Sequence, residues 1–191
     1  MNEKSHVSWK PGTLIYPLPA ALVSCGKTPD EYNVLTISWL GTLCSSPPMC
    51  YVSVRRERKS YEIIKANGEF VINLTNEALA FAADWCGVRS GRDYNKFKEM
   101  NLTPVMAEKV NAPIIKEAPL CIECRIKEII TLGTHDMFIS EVINIQADKQ
   151  YIDPETQSFD MAKAKLIAYS HGHYYKLGEE IGKFGWTVKK K

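Results

Sequence analysis

The chain has no glycine-rich nucleotide fingerprint, no long hydrophobic run and no marked excess of charge. Neither G-x-G-x-x-G nor G-x-x-x-x-G-K-[ST] occurs in its 191 residues, so neither a Rossmann-type cradle nor a P-loop is encoded. No apolar stretch approaches the ~18 residues of a membrane span, and no membrane partner is expected. A formal net charge of +2 gives no ground for a nucleic-acid partner. The hydrolase elbow G-x-S-x-G is also missing. The opening MNEKSHVSWKPG lacks an apolar core segment, so no signal peptide is expected. The six cysteines show no disulfide-framework spacing and are expected reduced, in a cytoplasm.

Metal chemistry is poorly supported. Cys121-x-x-Cys124 has no second half-site. It also falls in an alternating segment, where residues three apart point to opposite faces. His171 and His173 could share one side of an extended chain, but the third ligand would have to come from His135 or Asp136. No metal site is expected.

What is present is ordinary globular material. Hydrophobic residues make up 45% and charged residues 24%, a profile that suits a single domain over residues 1–191. Apolar alternation dominates, so strands are predicted at 20–25, 34–40, 49–54, 69–74, 120–127, 136–146 and 166–170. The last of these is expected to close the sheet. The segment 136–146 is apolar on both faces, as in a central or interface strand. Three short helices are predicted: 61–66 capped by Ser60 and stopped at Asn67-Gly68, one from Thr75 or Asn76 through Trp85, and 94–100 capped by Asp93. Many strands with few helices suggest a barrel with helical insertions. The closing Lys189-Lys190-Lys191 reads as a solvated end.

Chemistry concentrates in 33–74. A strand carrying Thr36 and Ser38 on one face, with Asn33 at its entrance, leads to Pro47-Pro48. The next strand empties into Arg55, Arg56 and Arg58, and Ser60 opens a helix. Guanidinium forks beside a helix N-terminus suit a phosphate. Small hydroxyls near Gly41 suit the rim of a flat heterocycle. Lys96 could add a cation, and His135 could donate to a ligand or carry a proton. Pattern alone favours a capped surface helix with solvated arginines, a polar strand face and a turn histidine. Alternation places Trp39 on the opposite, apolar face.

Taken in order, NVLTISW (33–39), CSSPP (44–48), SVRRERKSY (53–61), GEFVINL (68–74), DWCGVRSGRDYNKF (84–97), Ala112-Pro113, LCIECR (120–125), GTHDMF (133–138) and YYKLGEEIGKFG (174–185) resemble the flavin reductase-like, FMN-binding split-barrel family, and within it the flavoredoxin type. The resemblance implies a mainly β, six-stranded Greek-key split barrel with short helical insertions, forming a homodimer with FMN near its interface. It implies Asn33, Thr36 and Ser38 at the isoalloxazine, and Arg55, Arg58 and Ser60 at the phosphate. Trp39, Ser53 and Lys96 complete the candidate cofactor-binding set, and His135 is the candidate catalytic residue. Such proteins often carry Pro and Tyr where this chain has Arg56 and Lys59. The implied activity is electron transfer through FMN, reduced by NAD(P)H or a redox-protein partner. Alternatives are an NAD(P)H:flavin oxidoreductase that releases reduced flavin, or a non-catalytic barrel binding another phosphate ligand.

Overall fold

The computed structural model describes residues 5–188; the terminal lysine run lies outside them. In chain order the elements are β1 (Leu18–Pro19), β2 (Ala21–Cys25), β3 (Asn33–Ile37), β4 (Leu40–Ser45), β5 (Pro48–Arg55), α1 (Lys59–Asn67), β6 (Glu69–Leu74), α2 (Ala80–Val88), α3 (Lys96–Glu99), β7 (Pro104–Met106), β8 (Pro113–Ile115), β9 (Leu120–Leu132), β10 (His135–Ala147), α4 (Met161–Ala164), β11 (Ile167–Ser170) and β12 (His173–Lys176).

Seven strands form one sheet in the order β3-β2-β6-β9-β10-β5-β4. Its two edge strands, β3 and β4, are consecutive in the chain and separated only by Ser38 and Trp39. A sheet whose edges are joined by two residues must curl until they meet. The Ser53 N–H donates to the Trp39 carbonyl at 2.9 Å across that meeting point. With β3 and β4 taken as one strand broken at Ser38–Trp39, the seven-stranded sheet is compatible with the six-stranded barrel expected.

Both faces of the sheet are buried near β2, whose five residues are all inaccessible. Inside the barrel, Val23, Leu35, Val52, Phe70, Ile72, Cys124 and Phe138 pack together. On the outer face, Leu22, Val34, Val71 and Cys121 meet Ala83 and Cys86 of α2, together with Phe97, Val110 and Ile115. Cys121 and Cys124 therefore lie in different cores, as alternation requires. The Cys50 and Cys124 sulfurs approach to 3.5 Å. Their strands flank β10, so their backbones stand two strand spacings apart, roughly 9–10 Å, beyond the ~7 Å reach of a disulfide. All six cysteines are free.

Several element expectations are corrected. The segment at 166–170 does not join the barrel; β11 pairs with β1 and β12 in a separate three-stranded sheet. Helix α1 starts two residues earlier than the pattern indicates. Arg58 is its N-cap, in extended conformation and without a side-chain cap bond, and Ser60 lies inside the first turn. Gly68, at φ 71°, ends it as expected. Asn76, rather than Thr75, caps the next helical segment by accepting from the Leu79 N–H at 3.1 Å. That segment runs beyond Gly87 to Val88, because Gly87 is used for close packing: a Cβ there would lie 3.3 Å from Thr36 Cβ. Asn95 caps α3, not Asp93. β10 occupies the centre of the sheet, between β9 and β5. Among the described residues no helix is long and apolar enough to cross a membrane.

Candidate functional site

The barrel is not zipped along its whole seam. Beyond the Ser53–Trp39 bond, no ladder joins β3 to β5 among the described residues. The gap opens into a groove with two lobes that share Leu35, Arg55 and Arg58. One lobe, of about 460 Å³, is basic. The other, of about 370 Å³, is lined by Thr36, Ser38, Trp39, Ser53 and His135.

The floor of the basic lobe is Asn33, Ser60 and Lys96, all buried. Asn33 Nδ2 donates to Ser60 Oγ at 2.7 Å, and Lys96 Nζ donates to the Cys86 carbonyl at 2.7 Å. Burial pushes the Lys96 amine down to about 8, and the nearby Arg58 charge acts in the same direction. Burial pushes the adjacent Cys25 thiol up to about 12, so no thiolate nucleophile faces this lobe at neutral pH. The first turn of α1 leaves N–H groups without intrahelical partners at the same place. The opposite wall is the segment 89–92, held by Lys59 Nζ to the Gly91 carbonyl at 3.2 Å and by Arg92 Nη1 to the Glu57 carbonyl at 2.7 Å. Gly91 sits so close to Asn33 that a Cβ would fall 2.2 Å from Asn33 Oδ1.

The three arginines at the end of β5 and just beyond it divide their work. Arg56 turns away from the groove and binds Asp136 Oδ1 through Nε and Nη2 at 2.9 and 2.6 Å. Tyr61 donates to Asp136 Oδ2 at 2.7 Å. Both bonds favour the ionised acid and hold the Asp136 carboxyl below its usual range. Arg55 and Arg58 face the groove.

At the other lobe, Trp39 falls outside β3 and β4, so strand alternation no longer governs its direction. It lines the groove instead of joining the core, with its ring centroid 4.5 Å from that of His135. His135 Nδ1 lies 2.9 Å from Thr134 Oγ1. Burial, and then the charge of Arg55, lower the His135 pKa, leaving a neutral imidazole at pH 7. Thr36 borders the lobe, but its hydroxyl is committed to the Ala83 carbonyl of α2.

The groove brings together all ten residues singled out in the sequence, with one reassignment. Asn33 belongs to the basic lobe and not to the end lined by Thr36 and Ser38. Lys59, Arg89 and Arg92 were missed as groove residues. The sequence singled out Lys96 but carried no periodic signal that the loop before it folds back over the α1 N-terminus. His171 and His173 do not join His135 in a metal cluster; among the described residues no group of three His, Cys, Asp or Glu could hold a metal ion.

The model of the family described as flavin reductase like domain matches residues 13–178. The chain belongs to that family. Among solved structures, the flavoredoxin of Desulfovibrio vulgaris (Miyazaki F) superposes on this flavin reductase-like chain with a TM-score of 0.89 and 31% identity, covering 96% of this chain and 100% of that one. An uncharacterized protein of Archaeoglobus fulgidus is 32% identical over 131 residues, 69% of this chain and 73% of its own. The reductase component of a 4-nitrophenol 4-monooxygenase/4-nitrocatechol 2-monooxygenase from Rhodococcus opacus is 30% identical over 112 residues, 59% of this chain and 57% of its own. A flavin-binding redox function follows from the family. The groove fits such a ligand: a slot walled by an aromatic pair continues into a cation-lined pocket at a helix N-terminus.

Proposed function

We propose that this chain is a flavoredoxin-type FMN protein that accepts electrons from NAD(P)H or a redox-protein partner and passes them on. The observation that carries the reading is the two-lobed groove in the β3–β5 seam, which matches a flat ring joined to a phosphate tail. Arg55, Arg58, Ser60, Asn33 and Lys96 hold the phosphate, and Thr36, Ser38, Trp39 and Ser53 border the ring. When bound, FMN supplies hydride acceptance and onward electron transfer. The protein orients it, and neutral His135 offers a hydrogen-bonding edge beside Trp39 without adding charge.

A second reading, a reductase that releases reduced flavin, is favoured by the similarity to a reductase component. Gel filtration of FMN-saturated protein separates the two. Co-eluting yellow colour supports the flavoprotein, and colour lost on the column but reduced by NADH in bulk supports the reductase. Protein that neither retains nor reduces FMN overturns both.

We also place the protein in the cytoplasm, as a homodimer. The free cysteines support the first. Exposed Val7, Trp9, Ile15, Ile181, Phe184 and Trp186 on the outer segments support the second. Sedimentation at micromolar concentration tests it; a monomer contradicts it.

A further inference from the structure

Four cations crowd the turn that leads from β5 into α1. Residues 55–61 run Arg-Arg-Glu-Arg-Lys-Ser-Tyr, and like charges this close repel one another and tend to spread the turn. The Arg58 N–H donates to the Arg55 carbonyl at 3.2 Å, and the Tyr61 N–H to the Arg58 carbonyl at 3.0 Å. A single carboxylate grips both flanks. Asp136, buried on β10, accepts from Arg56 on Oδ1 and from the Tyr61 hydroxyl on Oδ2. Arg58 and Ser60 lie between the two gripped residues. The Tyr61 ring is fixed in turn by Phe138, on the same face of β10 as Asp136, edge-on at 5.6 Å between centroids. Neither lobe of the groove is lined by Arg56, Tyr61 or Asp136.

We propose that Asp136 is a positioning residue: by neutralising Arg56 and pinning Tyr61 from inside the barrel, it sets the turn so that Arg58 and Ser60 face the ligand's phosphate. The phosphate rests on the flavin reading; the clamp rests on the bonds alone. Two roles for Asp136 give opposite signs. A carboxylate acting only as a charge near an anion site repels phosphate, so its neutralisation tightens binding. A carboxylate acting as a clamp orders the turn, so its neutralisation loosens the turn and weakens binding.

Fluorescence titrations of the full chain with FMN and with riboflavin, beside hydrogen exchange of the ligand-free protein, test this. Asp136→Asn keeps the side-chain shape and removes the charge. It should weaken FMN about tenfold and riboflavin less than about twofold. The amides of 55–61 should exchange faster in the variant, and those of β9 at the wild-type rate. Tyr61→Phe, which keeps the ring against Phe138, should show a smaller loss of the same kind, and it decides the matter if Asp136→Asn does not fold. FMN affinity that holds or rises in Asp136→Asn overturns the proposal, as does an equal loss of FMN and riboflavin. Wild-type protein that binds FMN no tighter than riboflavin refutes the phosphate assignment instead. The clamp is then judged by exchange: faster exchange confined to 55–61 supports it, and unchanged exchange overturns it.

Discussion

Ser60 shows how one residue can keep its importance while its role changes. The sequence suggests a helix cap, yet its hydroxyl accepts from Asn33 Nδ2 at the floor of the basic lobe. Arg58, in the N-cap position, faces the same lobe without a side-chain cap bond. Arg58→Ala should weaken FMN binding about 10- to 100-fold, the worth of a charge-assisted pair. Riboflavin, which lacks the phosphate, should bind the variant and the wild type alike in fluorescence titrations. Lys96 gives a prediction in pH. Its amine, pushed down to about 8, loses its proton in the free protein above that pH, whereas a bound phosphate favours the charged form. Binding above pH 8 therefore requires proton uptake, and FMN affinity should fall by up to about tenfold per pH unit. Lys96→Met should bind more weakly near neutrality and show no such slope between pH 7 and 9.5.

At the scale of elements, one contact shapes the groove and another ties a loop to the sheet. The turn at 90–92 closes over Asn33 only because Gly91 has no Cβ. Gly91→Ala should open the basic lobe, lowering FMN affinity about tenfold with little change in melting temperature. The loop 107–112 is tied to the sheet by buried Glu123, which accepts from the Lys109 N–H at 2.6 Å, from the Glu108 N–H at 3.3 Å, and from Asn144 and Gln146 at 2.8 Å. Burial acts to raise its pKa, but these donors outweigh burial and hold it below the ordinary value. Its contribution is thus present above the unfolded carboxyl value and lost as pH falls through the folded one. Glu123→Ala leaves several donors unpaired and should cost about 3 kcal/mol in urea unfolding at pH 7.

For the whole molecule, the strands of the barrel were legible wherever one face is apolar and the other polar, as at 120–127. They were also legible where both faces are buried, as at 21–25. The site was legible in composition but not in arrangement. Trp39 escaped alternation because the strand breaks at Ser38 to close the barrel. The strand at 166–170 was placed in the wrong sheet because pairing partners are set by tertiary contacts that periodicity does not encode. Arg89 and Arg92 were missed because a loop's return path depends on close approaches such as Gly91 to Asn33. The stretch 33–74, which carries four of the ordered pieces, nevertheless contains both walls of the seam, since β3, β5 and α1 all lie within it.

Flavin fluorescence during FMN titration tests the central claim most directly. Saturable quenching that weakens in Arg58→Ala, in high salt and above pH 8 is the predicted result, because phosphate recognition in the seam is electrostatic. Quenching that is absent, or that is indifferent to Arg58, salt and pH, would contradict the assignment of the groove.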